Sequence, residues 1–174
     1  MVRIVADTSA LVSLGTVVDA TTNPLDILLE SHELLLPEQV LEELSETASY
    51  DDASGEAAQA VLDRKNVFKI QIVELDETFP LDDGENAAVT LANEVSAVQL
   101  LCDEFNRLAV IHASLVETRL VTTPILLTAL VRNDVLSPDS AQRLLERMSE
   151  ARSWSANSYV ARARATLQQQ RGGY

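Results

Sequence analysis

Short apolar runs alternate with stretches of helical spacing along most of the chain. Residues 2–6 form a run rich in β-branched side chains, ended by Asp7, Thr8 and Ser9. Residues 9–14 then read as a helical turn stopped by Gly15, and 25–30, after Pro24, carry helical spacing. A second apolar run, Leu34, Leu35 and Leu36, is closed by Pro37. Proline suits the first turn of a helix, where its missing N–H costs nothing, and the helix predicted there runs through Val40, Leu41, Leu44 and Ala48. After a polar break at 50–55, helical spacing resumes over 56–66, and 67–75 is β-rich. Asp82, Asp83 and Gly84 signal a turn and a helix start, and the helix they open holds Ala87, Ala88, Leu91 and Val95. Residues 97–102 read as a buried strand, 104–113 as a helix and 120–122 as a last short strand before Pro124. Beyond 125 the pattern is helical only, with Pro138 near the start of one helix and a second predicted over 156–169.

This order, β, α, α, β, α, α, β, α, β, α, β and then helices, predicts an α/β fold. Strands without polar alternation, separated by helices, imply a parallel sheet covered on both faces. Such sheets place ligand sites beyond the carboxyl ends of their strands. The expected organisation is a domain over 1–135 and a C-terminal helical extension, 136–174, packed on it. The aliphatic stripes at 125–131 and 144–148 read as core helix faces, with a subunit contact as the alternative. Trp154, the only tryptophan, either packs the last helix down or marks an interface.

Composition changes this picture in one respect. Hydrophobic residues are 47% of the 174, but aromatics only 4%, so the core must be aliphatic. Twenty-seven Asp and Glu against 13 Lys and Arg give a net charge of −14. A protein that binds nucleic acid through bulk charge alone should instead be basic. Lysine occurs only at 65 and 69. An acid-rich, lysine-poor surface suits concentrated salt, where the Debye length falls to ~3 Å at 1 M, so the composition predicts a halophilic cytoplasm. The apolar N-terminus is interrupted by Asp7 and reads as strand, turn and helix rather than a signal peptide. No apolar run approaches the ~20 residues that span a bilayer. A single cysteine, Cys102, excludes an intramolecular disulfide, fits a reducing cytoplasm and reads as a small core residue. His32 and His112 lack metal spacing with Cys102 or with each other.

Four acids carry the candidate chemistry. Asp7 and Asp103 each leave a buried strand, and in a parallel sheet they converge if the strands are neighbours. Glu43 lies in the helix after the second strand, where the surrounding Val40, Leu41 and Leu44 favour it over Glu42. Glu85 lies in the first turn of the helix that follows Asp82-Asp83-Gly84. Clustered carboxylates repel one another unless a cation neutralises them. Mg²⁺ or Mn²⁺ suits an all-carboxylate site and activates water toward a phosphodiester. Each acid also has a structural alternative: Asp7 as a helix cap, and Glu85 as a partner of the helix dipole.

The motifs A-D-T-S-A-L at 6–11, L-P-E-Q-V-L-E-E-L at 36–44, G-E-N-A-A-V-T-L-A at 84–92 and L-L-C-D-E-F-N-R-L-A at 100–109 resemble those of PIN domains. PIN domains occur in VapC-type toxins and related archaeal ribonucleases. The resemblance covers roughly residues 1–135. It implies a three-layer α/β/α sandwich with a central parallel sheet and an acidic pocket for Mg²⁺ or Mn²⁺. It implies an endoribonuclease that cleaves RNA to a 5′-phosphate and 3′-hydroxyl. Asp7, Glu43, Glu85 and Asp103 are then the metal-binding and catalytic acids. Ser9 supports the first aspartate, and Glu104 extends the last acidic motif. Arg107 either orients Asp103, touches phosphate or forms a surface ion pair. A toxin of this kind implies a protein antitoxin and a homodimer. The third acid is Glu where many toxins carry Asp, a pattern of an archaeal branch. The chief alternative is a non-catalytic scaffold or RNA-processing adaptor. A phosphoacceptor domain would need a lysine near a late strand, and none follows Lys69. A haloacid-dehalogenase-like phosphatase would need an acid where Ser9 stands.

Overall fold

The computed structural model describes residues 1–172. Its strands are β1 (Arg3–Ala6), β2 (Glu33–Pro37), β3 (Lys69–Gln71), β4 (Gln99–Leu101) and β5 (Arg119–Val121). Helices α1 (Thr8–Gly15) and α2 (Pro24–Ser31) follow β1, and α3 (Glu38–Ala48) and α4 (Ala53–Leu62) follow β2. Helix α5 (Asp83–Glu94) follows β3, and α6 (Leu108–Ser114) follows β4. After β5 come α7 (Thr123–Arg132), α8 (Pro138–Arg152) and α9 (Ser158–Gly172). The strands form one parallel sheet in the order β3-β2-β1-β4-β5.

The absence of polar alternation has its expected cause. Ile4 and Ala6 point into one apolar layer with Leu34, Leu36 and Leu101. Val5, Leu35 and Leu100 point into the opposite layer with residues of α5 and α6. The central strands β1, β2 and β4 are therefore covered on both faces, and the α/β/α sandwich predicted for the chain is the fold observed. The stripe of α7 contributes Leu126, Leu127, Leu130 and Val131 to the first layer, and α8 contributes Leu144, Leu145 and Met148. Both stripes are thus buried within the chain, except for the exposed Ile125. Trp154 sets its ring edge-on against Phe105, with centroids 5.3 Å apart, and so fastens the α8–α9 turn to the segment after β4. Among the described residues, no helix is long and apolar enough to cross a membrane.

Some predicted boundaries move, each for a local reason. The β-rich run at 67–75 yields only the exposed three-residue β3. Val67 belongs to a 3₁₀ turn, and Val73 leaves the sheet for the core of the α5–α6 layer. Lys69 of this edge strand pairs with Glu33 of β2, a charged margin that discourages further pairing. Pro37 ends β2 and occupies the N-cap of α3, with ψ of 152°, rather than its first turn. Helix α4 begins three residues before the predicted start because Asp52 caps it, accepting from the Gly55 N–H at 2.8 Å. Helix α6 begins four residues late, because a tight turn intervenes. There the Phe105 N–H donates to Asp103 O and the Arg107 N–H to Glu104 O, at 2.9 and 2.8 Å.

Candidate active site

Chain order reverses at β1: β2 and β3 extend the sheet on one side, β4 and β5 on the other. A crevice opens beyond the carboxyl ends of strands at such a switch point. Ala6 stands opposite Leu101 in the β1–β4 register, so Asp7 and Asp103 emerge side by side. The Asp7 N–H donates to Leu101 O at 2.8 Å and closes this edge.

Ser9 joins the two acids. Its hydroxyl donates to Asp7 Oδ2 at 2.8 Å and accepts from the Asp103 N–H at 2.9 Å. Cys102, buried as expected, lies beneath with Sγ 3.6 Å from the same Asp7 oxygen. Asp7 occupies the N-cap position of α1, yet its side chain makes no capping hydrogen bond. Burial raises its carboxyl above the ordinary range, and the Ser9 hydroxyl offsets this only in part. Asp103 is held differently. Its carboxylate accepts from the Thr123 N–H at 2.8 Å and from the Thr123 hydroxyl at 2.6 Å, at the N-terminus of α7. Burial still pushes it up to about 6.

Glu43 turns from α3 toward Asp7 and accepts from the Thr8 hydroxyl at 3.2 Å, whereas Glu42 is exposed. Burial and then the field of Asp7 push the Glu43 carboxyl up to about 7. Glu104 is more open. Desolvation of its carboxyl raises it, followed by the fields of Asp7 and Glu85. Glu85 is buried and already engaged. It forms a capping box with Asp82, whose side chain accepts from the Glu85 N–H at 2.8 Å. It also takes Arg107, with Nε at 3.3 Å and an Nη at 3.2 Å. Arg107 therefore braces Glu85 and the Pro80 carbonyl; its ion pair is not with Asp103.

Gly84 makes room for Glu43. A Cβ built at Gly84 would collide with the Glu43 carboxylate, the far end of a flexible side chain. Gly84→Ala is therefore expected to change stability by less than about 1 kcal/mol, the scale of a Gly–Ala propensity difference. It should displace Glu43 and lower any activity that needs this carboxylate by about tenfold or more, since ångström-scale misplacement costs that much. Thermal melts beside turnover assays check it; equal activity would mean Glu43 is a bystander.

An acidic cleft of about 490 Å³ continues from Glu43 between α3 and α5, bordered by Glu42, Glu46, Asp82 and Asp83. Sequence reading passed over Thr8, Thr123 and Asp82 as site residues. The signal for Thr123 was its place just beyond the end of β5, at the same sheet edge as Asp7 and Asp103.

Among the described residues, no three His, Cys, Asp or Glu side chains stand close enough to grip an ion as they are placed. Thr123 occupies both oxygens of Asp103, and Arg107 both oxygens of Glu85. The donor set nonetheless fits a hydrated cation. Asp7, Glu43 and Glu104 are mutually repelling carboxylates. Mg²⁺ commonly takes one or two carboxylates directly and keeps several waters.

A family model described as a PIN domain matches residues 3–169, a span that takes in α8 and nearly all of α9. No curated protein matches the chain.

Proposed function

The chain belongs to the PIN-domain family, in general a nuclease fold that usually works with divalent metals, and from this and the acidic crevice we propose that it is a metal-dependent endoribonuclease. The observation that carries the reading is the pair Asp7 and Asp103, joined through Ser9 at the switch point and faced by Glu43 and Glu104. Asp7 and Glu104 would hold Mg²⁺ or Mn²⁺, with Glu43, Asp103 and Glu85 acting through water. When bound, the ion supplies Lewis-acid activation of the phosphodiester and of the attacking water.

The chain's own groups do the rest. Ser9 fixes the Asp7 carboxylate by donating to Oδ2. Thr123 fixes Asp103, and Arg107 fixes Glu85. Glu43 Oε2, the oxygen that Thr8 does not bond, is the place for the proton of the attacking water. Products with a 5′-phosphate and 3′-hydroxyl follow when water attacks phosphorus, the bond to the 3′-oxygen breaks and that oxygen leaves with a proton. On this reading the acidic crevice is the surface that a basic antitoxin segment covers. The chain works as a homodimer in a salt-rich cytoplasm, where screening removes the repulsion between RNA and a net charge of −14.

One observation favours a second reading, a non-catalytic RNA-processing adaptor: among the described residues no three acids converge as they stand. Incubating a labelled structured RNA pool with the protein separates the two. Mn²⁺, Mg²⁺ or chelator is added at low and multi-molar KCl. The nuclease reading expects cleavage with either metal and none with chelator. A folded protein that cuts under no condition, and shows no Mn²⁺ site by calorimetry, establishes the adaptor.

A further inference from the structure

We propose that Arg152 is the phosphate-contact residue of the crevice, the side chain that receives the RNA backbone opposite the carboxylates. The inference rests on the nuclease reading for its substrate and on independent geometry for its residue. Arg152 ends α8, and Ser153 after it adopts the left-handed conformation, φ 58° and ψ 48°. That conformation is uncommon for a residue with a Cβ, and it turns the chain sharply. Trp154 then folds back, its N–H donating to Ser149 O at 2.9 Å and its ring against Phe105, the neighbour of Glu104. The turn brings the end of α8 over the strand ends.

The guanidinium so delivered is poorly satisfied. Among the described residues its only hydrogen bond is a long one, an Nη donating to Ser54 Oγ at 3.4 Å. Its Nε is buried and meets no acceptor. Arg64, Arg107 and Arg164, the other partly buried arginines, each pair with a carboxylate within 4 Å. Arg152 forms no such pair among the described residues, in a chain of 27 acids. Asp103 and Glu104 are the charges that act on it. Its position is therefore set by packing and by the general field of the crevice, with its guanidinium largely unbonded.

An arginine desolvated without a partner is costly in the free protein. A phosphodiester relieves part of that cost, because its oxygens accept charge-assisted hydrogen bonds from the guanidinium's Nη groups. The contact also answers a problem of charge. RNA must enter a pocket of carboxylates on an acidic protein. Arg107, the other cation there, is committed to Glu85 and Pro80.

The test compares Arg152→Gln and Arg152→Lys, in full-length protein, by two measurements that should not fall together. Binding of a fluorescein-labelled single-stranded RNA of about 12 nucleotides, with Asp7→Asn as the common background to prevent cleavage, should weaken about tenfold in Arg152→Gln, the scale of a charge-assisted phosphate contact. Arg152→Lys should recover part of the loss. Calorimetric Mn²⁺ affinity, measured with Asp7 intact, should stay or tighten, because a repelling charge has left. RNA affinity unchanged in Arg152→Gln overturns the proposal. So does a loss of RNA and Mn²⁺ affinity together with a lowered melting temperature, which makes Arg152 a strut. If Arg152→Gln does not fold, the Arg152 Nε–H resonance of the Asp7→Asn protein, assigned through the backbone, decides. A shift on adding the RNA supports the contact, and a static resonance overturns it. Failure of the nuclease reading looks different, with neither Mn²⁺ binding nor cleavage in the protein that keeps Asp7 and Arg152.

Discussion

Asp7→Asn is expected to abolish metal-dependent RNA cleavage and, in the same protein, to raise the melting temperature in metal-free buffer. The activity loss should reach about a thousandfold, because an amide neither carries the charge that holds a divalent cation nor replaces it in activating water. The stability gain has a separate cause. The Asp7 carboxylate is buried, and the bond from Ser9 does not compensate its desolvation. Asparagine keeps an oxygen for the Ser9 hydroxyl and removes the buried charge. A gain of about 1–2 kcal/mol follows from the usual cost of such burial, or roughly 3–6 °C for a chain of this size.

The sign with pH is fixed. The folded protein holds the Asp7 proton more tightly than the unfolded chain does. Wild-type stability is therefore lost as pH rises above the ordinary carboxylate range. Asparagine does not titrate, so the advantage of the variant should widen from pH 5 to pH 8. Saturating Mn²⁺ should reverse the ranking, because the ion stabilises only the protein that binds it. Calorimetric melts at both pH values, with and without Mn²⁺, check each part. A variant that still cleaves removes Asp7 from the metal site.

What could be read from the chain depended on how local each interaction is. The order of strands and helices was legible because covered strands lack alternation over only a few residues. The pairing of Asp7 with Asp103 was foreseeable from the parallel sheet and the two strand ends, whereas the support from Ser9 was implied only by the PIN-domain resemblance. The partner of Arg107 was not, because the tight turn at 104–107 delays α6 and points the guanidinium at Glu85 rather than Asp103. The β-rich run at 67–75 overstated β3, because intrinsic preference does not say which residues find a neighbouring strand. Gly84 looked like a turn residue, and its service to Glu43 appears only when α3 and α5 are packed together. Arg152 is, in the sequence, one of 13 Lys and Arg. Its delivery to the crevice depends on the bend at Ser153 and on Trp154 meeting Phe105, contacts that span about a third of the chain.

Asp103→Ala should behave unlike any substitution at Asp7, although both acids leave buried strands in similar motifs. The Asp103 carboxylate is a tertiary cap for α7. It accepts the N–H of Thr123, one of the backbone donors that a helix start leaves without an intrahelical partner, and the hydroxyl of the same residue. Thr122 caps the next turn by accepting from the Ile125 N–H, so it does not relieve Thr123. Alanine would leave a buried N–H and a buried hydroxyl unanswered, at the start of the helix that carries Leu126, Leu127 and Leu130 into the core. The expected loss is about 3 kcal/mol, from two unsatisfied groups at the usual cost of each, or roughly 6–12 °C. Asparagine keeps an acceptor for the Thr123 N–H and should lose about 1 kcal/mol or less. Both variants should lose cleavage, because each removes a negative charge from the crevice. Denaturant unfolding of the two beside Asp7→Asn separates the roles. If Asp103→Ala melts no lower than Asp103→Asn, the bonds to Thr123 are incidental and α7 is held by its apolar face alone. If it melts well below, one of the two strand-end acids serves the fold as well as the chemistry. The other serves the chemistry at the expense of the fold.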